Sequence, residues 1–201
     1  MTSLTVSKWP TPLTSEFHTD TYAAIDPLSP RLSTAGKSIL VTGGGSGIGP
    51  EIAKSFAISG AAAISLVGRT EKTLIETKSR LEKEFPKTKF FTFVADIVDR
   101  EALDAAFDQS VAAAGLIDVL VANAGVMTDL VPLAKSNAKD WDYSIDVNIR
   151  GSYNTVTAFL RNAAKNAAVI HVSTGILSLQ YIPGQAAYRE IIPEECCERS
   201  H

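Results

Sequence analysis

Apolar and polar residues fall in blocks along this chain. Short apolar runs stand at 38–42 (SILVT), 62–67, 89–95, 117–122 and 167–173. Runs of this length, bounded by turn residues, have the pattern of strands buried on both faces. Helical periodicity fills the stretches between them, at 48–59, 71–84, 99–113 and 140–162. The stretch at 71–84 is charged and amphipathic, and Asp99 stands where an N-cap is expected. Strands alternating with helices predict an α/β domain, a doubly wound parallel sheet with helices on both faces. Before residue 36 the pattern fails. Pro10, Pro12, Pro27 and Pro30 interrupt every periodic stretch, so residues 1–35 are expected to be an irregular leader. The pattern fails again after Glu190. Residues 36–190 are then the folded domain, incomplete on its C-terminal side, and 191–201 an unstructured tail.

The first apolar run leads straight into Gly43-Gly44-Gly45-Ser46-Gly47-Ile48-Gly49, and a helical pattern follows. A sharp strand-to-helix turn needs positive φ angles, which glycine adopts freely. Without side chains, the backbone of such a turn is open to a pyrophosphate. The free N–H groups and positive dipole end of the next helix favour that anion. Pro50 stands in the first helical turn, where a missing N–H costs little. A glycine-rich surface loop would share the composition but not the flanking strand and helix. The second apolar run leads to Arg69. An acidic residue there would suit the ribose 2′-hydroxyl of NAD, whereas a guanidinium matches the 2′-phosphate of NADP. NADP is therefore favoured over NAD; the alternative is a solvated arginine opening a charged helix.

Further elements follow in a fixed order. Thr42-Gly43-x-x-x-Gly47-Ile48-Gly49 is succeeded by Asp96 at the end of the third run and by Asn123-Ala124-Gly125 closing the fourth. The segment 141–148 (WDYSIDVN) ends in Asn148, Val172-Ser173-Thr174 closes the fifth run, and 183–188 (PGQAAY) ends in Tyr188. In this order the motifs resemble those of the short-chain dehydrogenase/reductase superfamily, over roughly residues 35–188. The resemblance implies a Rossmann-type fold whose cofactor site uses Thr42, Gly43, Ser46, Gly47, Ile48, Gly49 and Arg69. It also implies that Asp96 contacts the adenine and that Asn123, Ala124 and Gly125 steady the sheet beside the cofactor. The long leader resembles fungal members of the family that modify secondary metabolites.

The family's reaction moves a hydride between a nicotinamide and a carbonyl or alcohol carbon of a small molecule. The resemblance makes Tyr188 the acid/base, Ser173 or Thr174 the polarising hydroxyl, and Asn148 a proton-relay residue. The family's second strand-end hydroxyl points to Thr174, with Ser173 the alternative. A lysine four residues after the tyrosine normally lowers its pKa. Here that position is Ile192, and Pro193 disfavours a helix continuing through it. Without the cation Tyr188 is expected to titrate near an ordinary value of about 10, which slows proton transfer at neutral pH. The loss of pattern beyond Glu190 suggests a truncated product or an altered reading frame, with the fifth strand an uncovered sheet edge. A non-catalytic dinucleotide-binding module and a non-functional fragment are the competing functions. The helix at 140–162 is the family's usual face for a homo-oligomer.

Composition narrows the partners. Lys and Arg total 19 against 22 Asp and Glu, a net charge of −3, which is no footprint for nucleic acid. No apolar run is long enough to span a bilayer, and residues 1–10 lack a signal-peptide core, so a cytoplasmic protein is expected. Cys196 and Cys197 are adjacent, which suits neither a disulfide framework nor a metal site. His171, inside the fifth run, is read as a packed strand histidine.

Overall fold

A computed structural model describes residues 18, 20–128, 131 and 135–173. The apolar runs become five strands: β1 Ser38–Thr42, β2 Ala63–Gly68, β3 Lys89–Val94, β4 Ile117–Ala122 and β5 Ala163–His171. All neighbours are parallel, in the order β3-β2-β1-β4-β5. The helices are α1 Gly49–Ile58, α2 Glu71–Glu84, α3 Arg100–Ala114, α4 Ala138–Ile145 and α5 Ser152–Asn162.

Alternation along the strands decides which face each residue serves. Ile39 and Val41 of β1 join Ile64 and Leu66 of β2 in a cluster with Ala53 and Ala57 of α1 and Leu74 and Leu81 of α2. Leu40, Val67 and Leu120 point the other way, against Leu103 and Phe107 of α3 and Ala158 and Phe159 of α5. The expected double winding is therefore present, and every residue of β1 is buried because both of its faces are covered.

Helix boundaries follow local chemistry. Asp99 caps α3, its carboxylate accepting from the Ala102 N–H at 3.1 Å. Gly115 ends α3 at φ +82°, a backbone state suited to glycine. The N-terminal segment is stitched to the C-terminal end of α1: the Thr34 hydroxyl lies 2.6 Å from that of Ser59, and Ala35 bridges to Ala61.

Two regions depart from the expected pattern. The stretch 140–162 is not one regular helix, because a π-helical turn, Asp146–Gly151, joins α4 to α5. Long-range packing accompanies that turn. A Cβ on Gly151 would lie 2.5 Å from Ile97 Cδ1, and Asn154 Nδ2 donates to the Ile97 carbonyl at 3.0 Å. The fifth strand starts at Ala163, directly after α5, and stops at His171, short of Val172 and Ser173. The early start is absorbed by a shift in pairing between Ile117 and Val119 of β4, with Asn166 at φ +63°. Among the described residues, β5 pairs only with β4 and forms one edge of the sheet. His171 is consequently exposed rather than packed, which corrects the reading of it as a core histidine. Among the described residues, no helix is long and apolar enough to cross a membrane.

Candidate functional site

The glycine turn between β1 and α1 is tight inside and open outside. Gly43 and Gly47 have φ of +68° and +61°. A Cβ on Gly43 would come within 2.9 Å of Asn123 Nδ2, and one on Gly44 within 2.9 Å of Leu66 Cβ. A Cβ on Gly49 would sit 2.1 Å from the Gly43 carbonyl oxygen, so no other residue fits without moving the backbone. Gly47 has open space around it, and its constraint is conformational alone. Ser46, Gly47 and Ile48 face solvent, and Ile48 gives α1 no side-chain cap. The result is a shallow cradle facing an uncapped helix end, as an anion requires.

Thr42 ties this turn to the end of β4. Its buried hydroxyl accepts from the N–H groups of Asn123 (3.1 Å) and Ala124 (3.2 Å). Asn123 Nδ2 donates back to the Thr42 carbonyl at 3.0 Å. Gly125 follows, where a Cβ would lie 3.3 Å from Asn148 Oδ1.

Arg69 and Asp96 stand past the ends of β2 and β3. The Arg69 guanidinium donates through Nη1 to the Tyr143 hydroxyl of α4 and lies over the Tyr143 ring, 5.9 Å from its centroid. The same Nη1 is 3.8 Å from the Asp96 carboxylate. The Tyr143 hydrogen bond, helped by the Asp96 carboxylate, raises the arginine's pKa against a smaller desolvation effect, so it stays cationic. Asp96 also accepts from the Val98 N–H at 3.0 Å.

Asn148 lies in the π turn with its amide fully engaged. Oδ1 accepts from the Val126 N–H, and Nδ2 donates to the Val126 carbonyl, both at 3.0 Å; Nδ2 also donates to Ser144 Oγ at 3.2 Å. The side chain thus pins the segment after β4 to the helix. The Asn148 carbonyl accepts from the Ser152 hydroxyl at 2.7 Å, and His171 Nε2 is 3.4 Å from that hydroxyl. Ser173 is exposed just past β5. Thr174, Tyr188 and the tail at 191–201 lie outside the described residues.

The structure therefore gathers Thr42, Gly43, Asn123, Ala124, Gly125 and Asn148 along one line at the strand ends, with Arg69 and Asp96 at its far side. Sequence reasoning missed Tyr143, Ser144, Gly151 and Asn154. Gly151 is constrained by Ile97, 54 positions earlier, which no local pattern encodes. Tyr143 carried no local signal either, since its partner Arg69 is 74 residues away.

The family model for short chain dehydrogenases matches residues 37–189. A short chain dehydrogenase/reductase from Claviceps purpurea is 32% identical over 85% of this chain and 58% of its own length. Another from Aspergillus aculeatus is 31% identical over 93% of this chain and 66% of its own. The chain thus spans about three fifths of the length of these relatives. The crystal structure of a Burkholderia cenocepacia short chain dehydrogenase in complex with NADP superposes with a TM-score of 0.72 at 26% identity, covering 78% of this chain and 63% of that one. This chain belongs to the short-chain dehydrogenase family.

Proposed function

We propose that this chain binds NADP(H) and serves an oxidoreductase acting on a small-molecule alcohol or carbonyl. The glycine cradle carries this reading. Side chains at Gly43, Gly44 and Gly49 would strike neighbouring atoms, while Ser46, Gly47 and Ile48 leave the outer wall open for a pyrophosphate. Arg69 would meet the 2′-phosphate, Asp96 the adenine, and Asn123, Ala124 and Gly125 the side of the cofactor. When bound, NADP(H) supplies or accepts the hydride.

The chain's own residues do the rest. Ser173 or Thr174 donates a hydrogen bond that polarises the substrate oxygen, and Tyr188 exchanges its proton with that oxygen. Asn148, whose side chain holds the segment after β4 through Val126, serves as the proton-relay residue. Ile192, in the place of the family's lysine, leaves Tyr188 with no cation four residues on. That substitution supports a second reading, a dinucleotide-binding module with little turnover. Ile149, Tyr153 and Leu160 form an apolar stripe on the π turn and α5, 45%, 62% and 70% exposed, which supports a homo-oligomer contact there.

Titration of the full chain with NADPH, followed by nicotinamide fluorescence, tests the cofactor claim, with Gly47→Asp as the control. Saturable binding that the control abolishes supports it, and a carbonyl panel then separates enzyme from binder. A folded chain that binds no NADPH sinks it.

A further inference from the structure

An arginine on an open surface samples many rotamers, and ordering it opposes any contact it makes. The Arg69 side chain is 52% exposed, yet its guanidinium is held from two sides. The Tyr143 hydroxyl accepts from Nη1, and the Tyr143 ring lies beneath the cation. The Asp96 carboxylate, past the end of the neighbouring strand β3, draws the same Nη1 at 3.8 Å. Both contacts use one nitrogen. The edge formed by Nε and Nη2 is the pair of parallel donors that grips two oxygens of a phosphate. Tyr143 is itself fixed, because α4 runs into the π turn that Asn148 anchors to Val126.

We infer that Tyr143 is a specificity-determining positioning residue. Its hydroxyl and ring hold Nη1 of Arg69 so that the Nε–Nη2 edge is presented to a phosphate on the 2′ carbon of the adenosine ribose. Selection of NADP over NAD then depends on α4 as well as on the residue at the end of β2. This inference rests on the cofactor reading above and adds the residue that orients its arginine.

The test compares dissociation constants for NADPH and NADH, by fluorescence titration of the full chain, in the parent, Tyr143→Phe, Arg69→Ala and the double variant. Phenylalanine keeps the ring and removes the hydroxyl at a site 38% exposed, so the parent melting temperature is expected to persist. Tyr143→Phe should weaken NADPH binding roughly three- to tenfold and leave NADH unchanged. Arg69→Ala should weaken NADPH further, and the double variant should match Arg69→Ala, since Tyr143 acts through Arg69. Equal weakening of NADPH and NADH by Tyr143→Phe would mean a wall rather than a selector and would overturn the inference. Tighter NADPH binding in that variant would show that Tyr143 competes with the phosphate, and would overturn it as well. If Arg69→Ala lowers NADPH affinity while Tyr143→Phe matches the parent, this inference fails alone. A folded parent that binds neither nucleotide overturns both readings.

Discussion

β1 and β5 both lie beside β4, on opposite sides, and they are built in different ways. β1 is short and wholly buried, and it ends in a turn where four glycines, Gly43, Gly44, Gly45 and Gly49, meet atoms closer than a Cβ allows. β5 is longer and, among the described residues, forms an edge. It carries a pairing irregularity, with Val169 and Ile170 42% and 47% exposed. At the β1 end the backbone itself is the constraint, so a change of one atom is felt. At the β5 end the side-chain contact is a single one, His171 Nε2 at 3.4 Å from the Ser152 hydroxyl, while Asn148 holds the segment after β4 through Val126. The glycine turn is therefore held by close packing of the backbone, and the segment after β4 by side-chain hydrogen bonds.

The largest effect should come from Gly49→Ala. Its Cβ would lie 2.1 Å from a carbonyl oxygen, and relieving that contact should cost about 3 kcal/mol and abolish NADPH binding. A variant with parent-like melting and affinity would show that the turn yields easily. The next comparison uses two residues paired in register, Leu120 of β4 and Val169 of β5. Leu120→Ala, at 0% exposure, should lose about 3 kcal/mol in urea unfolding. Val169→Ala should lose less than about 1 kcal/mol, because much of its surface is already wet. Similar losses at the two sites would mean that β5 is covered in solution.

Asn148→Ala removes three hydrogen bonds and should cost about 2 kcal/mol. NADPH affinity should change much less than in Gly49→Ala, as parallel titrations would show. A further expected change comes from Ile192→Lys. On the proposed roles, the Tyr188 phenolate is the base in alcohol oxidation, so the parent rate should climb as pH rises through the alkaline range. An ammonium beside Tyr188 would favour the phenolate, move that climb to lower pH and raise the rate at pH 7 up to roughly tenfold. Identical pH profiles for parent and variant would remove Ile192 as support for the second reading, a dinucleotide-binding module with little turnover.

Legibility in the sequence follows the same division. Short buried strands and a glycine turn are dictated locally, so apolar runs at 38–42 and 117–122 were enough to place β1 and β4. The glycine fingerprint located the cradle because each glycine answers a backbone need. The π turn, the contact of Gly151 with Ile97 and the hold of Tyr143 on Arg69 join residues distant in sequence. No local periodicity encodes such contacts. β5 was misplaced at both ends for a related reason: the helix passes into the strand at Asn162 with no turn residue to mark the change.

The sheet order also sets a timetable for synthesis. β1 is bonded to β4, although the linked residues Ser38 and Asp118 lie 80 positions apart. A nascent chain can join β1, β2 and β3 early, since each follows the last after one helix. Its central strand must then wait, with Ile39, Leu40 and Val41 open along one side, until Ile117–Ala122 has left the ribosome. Non-local pairing of this kind is slow to form and prone to association before it closes. A ribosome paused ahead of Ile117 would hold a half-sheet whose middle strand is still an edge, and that interval is when a chaperone has most to protect.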